Sequence, residues 1–238
     1  MKYLKSASLM GERISMRVEL INYTPEPERT IAAAARLCYS DMHAGEIMQD
    51  LTEERVSSFL AKLVSMGHLS PFEHVSFTFA IEGVSRTLTH QLVRHRIASY
   101  SQKSQRYVSE EAFAYVIPPS VAANQDAVSV YEKAIKEIRA AYARLIDLVP
   151  REDARYILPN ACETKIVCTF NARSLLHIFE QRCCTRAQWE IRDLAQKMSE
   201  EARKVAPVIF SEAGPPCRVR GICPEGEMSC GRLKHRSG

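Results

Sequence analysis

No apolar run in this chain of 238 residues approaches the ~18 residues that a membrane-spanning helix needs, and its first stretch lacks the apolar core of a secretory signal. Both absences point to the cytoplasm. Charge of one sign is scarce as well: the net charge is only +4, so the bulk electrostatic footprint of a nucleic-acid-binding protein is missing. The eight cysteines (Cys38, Cys162, Cys168, Cys183, Cys184, Cys217, Cys223 and Cys230) contain no CxxC pair and are too scattered for a secreted disulfide framework. Reduced thiols are therefore the default. There is no glycine-rich strand-to-helix turn to announce a dinucleotide-binding Rossmann unit, and no GxSxG elbow for a serine nucleophile. Repeats, low-complexity tracts and interdomain linkers are also absent.

What remains is ordinary globular composition, 46% apolar and 25% charged, in a chain long enough to bury a substantial core. Its bases are unusual, because arginine outnumbers lysine by 22 to 10. Guanidinium grips phosphate or carboxylate through paired hydrogen bonds, which makes small phosphorylated ligands plausible beside plain surface arginine.

Periodicity sets the elements. Residues 18–23 read as a strand, and Thr52 to Met66 as a helix with Val56, Phe59, Leu60, Leu63 and Val64 on one face and Gly67 to stop it. Val75, Phe77, Phe79 and Ile81 alternate with polar residues as in a half-buried strand, which places His74 and Ser76 on its polar side and lets Gly83 end it. Ser85 then caps a helix reaching about His95. A long helix is expected over 126–148, a short segment after Pro150, a strand over 164–170, and a helix capped by Asn171 that carries Leu175, Leu176 and Phe179. The final long helix, 186–205, carries Trp189, Leu194 and Met198. The fold class is α+β, a single mixed domain with a central, largely antiparallel sheet and flanking helices. Residues 1–15 read as a peripheral leader, with Met16 as an alternative start, 16–210 as the domain, and 211–238 as an irregular tail rich in Gly, Pro and Cys.

The segment RHRIASYSQKSQR, from Arg94 to Arg106, carries the chemistry. Arg94-His95-Arg96 alone would be a cationic helix end that complements the helix dipole. The residues that follow add Ser99, Tyr100, Ser101, Gln102, Ser104, Gln105, Arg106 and Tyr107, a dense set of polar groups in a segment with little apolar content. Such a loop is suited to holding a polar ligand. The spacing RHR-x7-S resembles the signature of the flavin-dependent thymidylate synthases. FEHVSFTF (72–79), PREDARYILP (150–159), FNARSLLHIFEQR (170–182) and AQWEIR (187–192) resemble the same family in the same order.

The resemblance implies reductive methylation of dUMP to dTMP, with methylenetetrahydrofolate as carbon donor, reduced FAD as hydride source and NADPH as reductant. It also implies a homotetramer with active sites at subunit interfaces. For FAD it points to His74, Ser76, Arg94, His95, Arg96, Gln102, Asn171, Ala172, Arg173 and His177. For dUMP it points to Gln91, Leu92, Val93, Arg94, Gln102, Lys103, Ser104, Gln105, Arg106, Arg155 and Arg182. Arg182 is the catalytic candidate, because a guanidinium beside uracil can stabilise the enolate-like charge that develops as C5 becomes nucleophilic. Simpler roles exist for several of these residues: Asn171 as a helix cap, His177 as a satisfied histidine, Arg182 as a surface ion-pair partner. Gln102 stands where some members carry glutamate, and Gln105 where some carry glycine.

Ser104 lacks the base that a nucleophile needs and reads as a hydrogen-bonding group. The one Pro-Cys pair, Pro216-Cys217, lies in the tail, so no covalent enzyme cysteine is expected. No metal is expected either. Cys217, Cys223, Cys230 and His235 offer four zinc ligands, but their spacings lack the CxxC knuckle, and thiols or a local disulfide compete. Two rival functions stay open, a nucleic-acid-binding module and a flavoprotein methylating uracil in RNA.

Overall fold

A computed structural model describes residues 14–233. Four strands, β1 (Arg17–Tyr23), β2 (Ser76–Ser85), β3 (Ala98–Gln102) and β4 (Glu163–Asn171), form one open antiparallel sheet in the order β1-β2-β4-β3. The described helices are α1 (Pro27–Leu37), α2 (Ala44–Asp50), α3 (Glu53–Ser65), α4 (Arg86–Leu92), α5 (Pro119–Ala122), α6 (Gln125–Leu145), α7 (Arg151–Ala154), α8 (Ala172–Arg182), α9 (Trp189–Val205), α10 (Pro207–Phe210) and α11 (Pro216–Val219). None is long and apolar enough to cross a membrane. The chain divides into two compact units, residues 14–17, 82–89 and 102–165 in one and 18–81, 90–101 and 166–233 in the other.

The larger unit is built on an aromatic core. Alternation buries Phe77, Phe79 and Ile81 from β2, and Ile166, Cys168 and Phe170 from β4. Phe210 stands edge-on to Phe77 at 5.3 Å and to Phe179 of α8 at 5.7 Å. Helix α8 packs on α9, and α1 on α2 and α3. The expected Asn171 cap forms, accepting from the Ser174 N–H at 2.8 Å, and Thr52, read as the first helical residue, instead caps α3 by accepting from the Arg55 N–H. The described part of the tail, 211–233, is tied to the helices before it. Arg220 pairs with Glu180 at 2.5 Å, and Arg186 pairs with Glu225 at 2.9 Å while donating to the Met228 carbonyl.

In the smaller unit α6 lays Ile135, Tyr131 and Ile138 against Phe113, Tyr115, Leu158 and Cys162. The Arg139 guanidinium lies 5.1 Å from the Phe113 ring centre and 5.3 Å from that of Tyr115.

The long helix ends at Leu145 rather than 148 and the final long one begins at Trp189 rather than 186, and three further differences bear on the site. Gly83 does not end β2. It sits inside the strand at φ +71, where a Cβ would lie 2.5 Å from the Ser15 carbonyl oxygen, so the glycine serves a close backbone approach. Gly83→Ala adds left-handed strain and that clash and is expected to cost roughly 2–4 kcal/mol in a urea melt; a loss under about 0.5 kcal/mol would contradict this account. Helix α4, capped as expected by the Ser85 hydroxyl on the Leu88 N–H, stops at Leu92 rather than near His95. The stretch after the triplet, expected to be a loop, contains edge strand β3.

Candidate active site

In the larger unit, the Arg94-His95-Arg96 triplet occupies the turn after α4. The Arg94 and His95 N–H groups reach back to the Gln91 and Leu92 carbonyls at 3.4 and 3.1 Å, closing the helix with tight three-residue turns. Half-buried Gln91, buried Leu92 and exposed Val93 form this helix end. Tyr100 on β3 fixes it. Its hydroxyl lies 2.9 Å from the Leu92 carbonyl and 2.7 Å from that of His95, while its ring stands edge-on to Phe170 at 5.8 Å. Burial raises the hydroxyl pKa, so it is a donor across the physiological range. Tyr100→Phe keeps the ring contact and loses the bond; it is expected to cost about 1–2 kcal/mol in denaturant. Unchanged stability would show that the turn holds without the hydroxyl.

Arg182, in the last turn of α8, donates its Nε–H to His95 Nε2 at 3.1 Å. This contact takes the place of the surface ion pair open to a helix-end arginine. The His95 ring also meets His177 edge-on at 6.2 Å. Burial first, then the charge of Arg182 and the proximity of His177, push His95 down to about 4. The imidazole is therefore neutral at pH 7, and acceptance at Nε2 assigns its proton to Nδ1. Burial and the neighbouring Arg94 charge lower the Arg182 pKa.

Beside this contact a cavity of about 480 Å³ is lined by Asn171, Arg173, Ser174, His177 and Glu180, with Glu73, Leu69, Leu176 and Ile97. Arg173 pairs with Glu73 at 2.5 Å. Asn171 serves as a cap with its carbonyl oxygen, and Ala172 is buried with its N–H on the Val75 carbonyl at 3.1 Å. His74 closes the 3-10 turn Ser70–His74 instead of lying on the strand, and Ser76 opens β2; both are exposed. Arg94 and Arg96 are exposed and enter no ion pair among the described residues.

The smaller unit holds the second group. The Gln102 amide donates to the hydroxyls of Thr89 at 3.2 Å and Thr164 at 3.1 Å. The Lys103 ammonium lies between Glu110 and Glu163. Ser104 accepts from the Arg106 N–H at 3.3 Å. Gln105 is buried against the Cys162 thiol, and burial pushes that thiol up to about 12. Arg106 reaches Glu152 of α7 through Nε at 3.0 Å and Nη2 at 2.9 Å, and Arg155 donates to the Glu152 carbonyl at 3.1 Å.

The sequence pattern of the thymidylate synthase complementing protein family matches residues 19–208. Flavin-dependent thymidylate synthases of Clostridium tetani and Geobacter sulfurreducens are 51% and 53% identical to the chain. The chain belongs to the flavin-dependent thymidylate synthase family. The alignments span 94% of this chain and 96% of the Clostridium relative, and 91% and 94% for the Geobacter one. The relative from Pyrococcus abyssi is 45% identical, over 90% of this chain and 91% of its own. A solved structure of a UMP/dUMP methylase from Streptomyces cacaoi, bound with 5-Br dUMP, superposes with a TM-score of 0.74 at 25% identity, covering 84% of this chain and 94% of that one.

For a flavin-dependent thymidylate synthase the donor set fits FAD, an anionic dinucleotide. It offers the Arg94 and Arg96 guanidinium groups, which enter no ion pair among the described residues, a neutral imidazole, and a cavity whose largely apolar wall carries Asn171, His177 and the paired Arg173 and Glu73. Sequence reasoning did not single out Glu73, Glu180 or Glu163, whose partners are remote in the chain, nor Glu110, whose partner Lys103 lies across the loop, and it treated Tyr100 as one donor among many. All eight cysteines are free thiols, and no group of three metal-ligating side chains is clustered among the described residues. His235, the fourth zinc candidate, lies outside them.

Proposed function

We propose that this flavin-dependent thymidylate synthase converts dUMP to dTMP, with methylenetetrahydrofolate as carbon donor and NADPH as reductant. FAD, when bound and reduced, supplies the hydride. The Arg182–His95 contact is the observation that carries the reading. A guanidinium has five N–H donors, and this one commits a single N–H to a neutral ring, leaving four for a substrate while its plane is fixed by His95. Such a group suits uracil N3 and the O2 or O4 oxygens, where negative charge grows as C5 attacks.

The FAD ligands are His74, Ser76, Arg94, His95, Arg96, Gln102, Asn171, Ala172, Arg173 and His177. The dUMP ligands are Gln91 to Arg94, Gln102 to Arg106, Arg155 and Arg182. Support for the cofactor set comes from the cavity that Asn171, Arg173 and His177 share, and for the nucleotide set from Gln102 to Arg106 forming one hydrogen-bonded segment. The enzyme is a cytoplasmic homotetramer with residues 16–210 as its catalytic domain.

The test uses purified protein. It should be yellow, bleach on anaerobic NADPH, and form dTMP from dUMP and methylenetetrahydrofolate. Colourless protein, or flavoprotein that makes no dTMP, would end the proposal.

A further inference from the structure

The 103–110 segment follows β3, contains four of the proposed nucleotide ligands and has no helix or strand of its own, so its shape needs another source. Part of the restraint is backbone: the Lys103 N–H pairs with the Lys165 carbonyl at 2.9 Å, and the Tyr107 and Val108 N–H groups return to Ser104 at 3.4 and 3.1 Å. The rest is ionic. Lys103 Nζ lies 3.0 Å from Glu110 Oε1, donates to Glu110 Oε2 at 3.2 Å, and lies 3.5 Å from Glu163 Oε2. Glu163 Oε1 in turn accepts the Gly83 N–H at 3.1 Å. The side chains of Lys103, Glu110 and Glu163 are only 19%, 3% and 12% exposed. Charges this far from water hold their geometry firmly, because removing one partner strands another in a poorly solvated place. The triad joins the two ends of the loop to each other and to the first residue of β4.

We propose that Lys103 is a positioning residue rather than a nucleotide ligand: its ammonium, clamped by Glu110 and Glu163, shapes the 103–110 loop so that Ser104, Gln105 and Arg106 are presented to dUMP. This rests on reading the loop as the dUMP site, and it departs from the resemblance, which counts Lys103 among the nucleotide contacts. Burial pulls the Lys103 pKa down, but Glu110 and Glu163 outweigh it and the net shift is upward, so the ammonium stays charged.

The Glu110→Gln/Glu163→Gln double variant, nearly isosteric, releases the ammonium. A positioning role predicts that the KM and Kd for dUMP rise about tenfold, with kcat within about twofold and FAD content unchanged. An ammonium that binds phosphate directly would be freed by the same change, so dUMP binding as tight as in the wild type, or tighter, overturns the proposal. A fall of kcat and FAD content together, with KM unchanged, overturns it too, since that is general structural loss. If the double variant does not fold, hydrogen exchange on the unaltered FAD-loaded protein decides. Protected loop amides before dUMP is added support the clamp, and unprotected ones refute it. A wild type that binds no dUMP ends the functional reading itself; wild-type binding with an equally tight variant ends only this inference.

Discussion

Arg182→Ala is expected to lower the rate of dTMP formation by about 10²–10³-fold while FAD stays bound. The size follows from removing one preorganised charge from the place where negative charge develops, a loss that typically costs that much. Arg182 is held by helix α8 on one side and by His95 on the other, so its orientation is fixed before substrate arrives. Truncation also relieves a crowded pair of cations, since Arg94 is near enough to lower the Arg182 pKa. Thermal stability should therefore change little. Arg182→Lys should recover less than about tenfold, because a point-like ammonium cannot bond His95 and grip a planar ring together. Steady-state dTMP assays with flavin titration check both variants. A rate for Arg182→Ala within about threefold of wild type would remove Arg182 from the chemistry.

The parts of this arrangement visible in the sequence are the local ones. Asn171 and Ser85 are caps three residues from their donors, and both bonds form. Alternation along Val75 to Ile81 gave the buried face of β2. Failures occur where the deciding contact is remote or the pattern lacks an apolar partner. Strand β3 alternates half-buried Ala98, Tyr100 and Gln102 with exposed Ser99 and Ser101, a period of two with scarcely any hydrophobic contrast, so it looked like a polar loop. Gly83 resembled a strand end because the Ser15 backbone that demands it lies 68 positions away. Arg182 and His95 are 87 residues apart, and no spacing rule joins them. The neighbours of Lys103 were equally hidden, because Glu110 and Glu163 come to its ammonium only once the chain has folded.

The His95 contact also sets the response to acid. Below about pH 4 the ring gains a proton, both nitrogens become donors, and Nε2 can no longer accept from Arg182. The acid limb of kcat is therefore expected near pH 4, not near the ordinary histidine value of 6.5. His95→Leu, which removes the acceptor, should cost about 10²-fold, comparable to weakening Arg182 itself. His95→Gln supplies an amide oxygen that does not titrate, so it should keep the rate within about tenfold and abolish this limb. Stability follows the same linkage. The unfolded chain binds a proton at His95 near pH 6.5 and the folded chain only near 4, so between those values unfolding takes up protons. This group's destabilisation is absent above 6.5 and grows as the pH falls toward 4. Urea melts of wild type and His95→Gln at about pH 7.5 and about pH 5 should show the smaller pH-dependent loss in the glutamine variant. An acid limb at 6.5 in the wild type, or equal losses in both proteins, would mean that the ring is not held neutral by its burial and by Arg182.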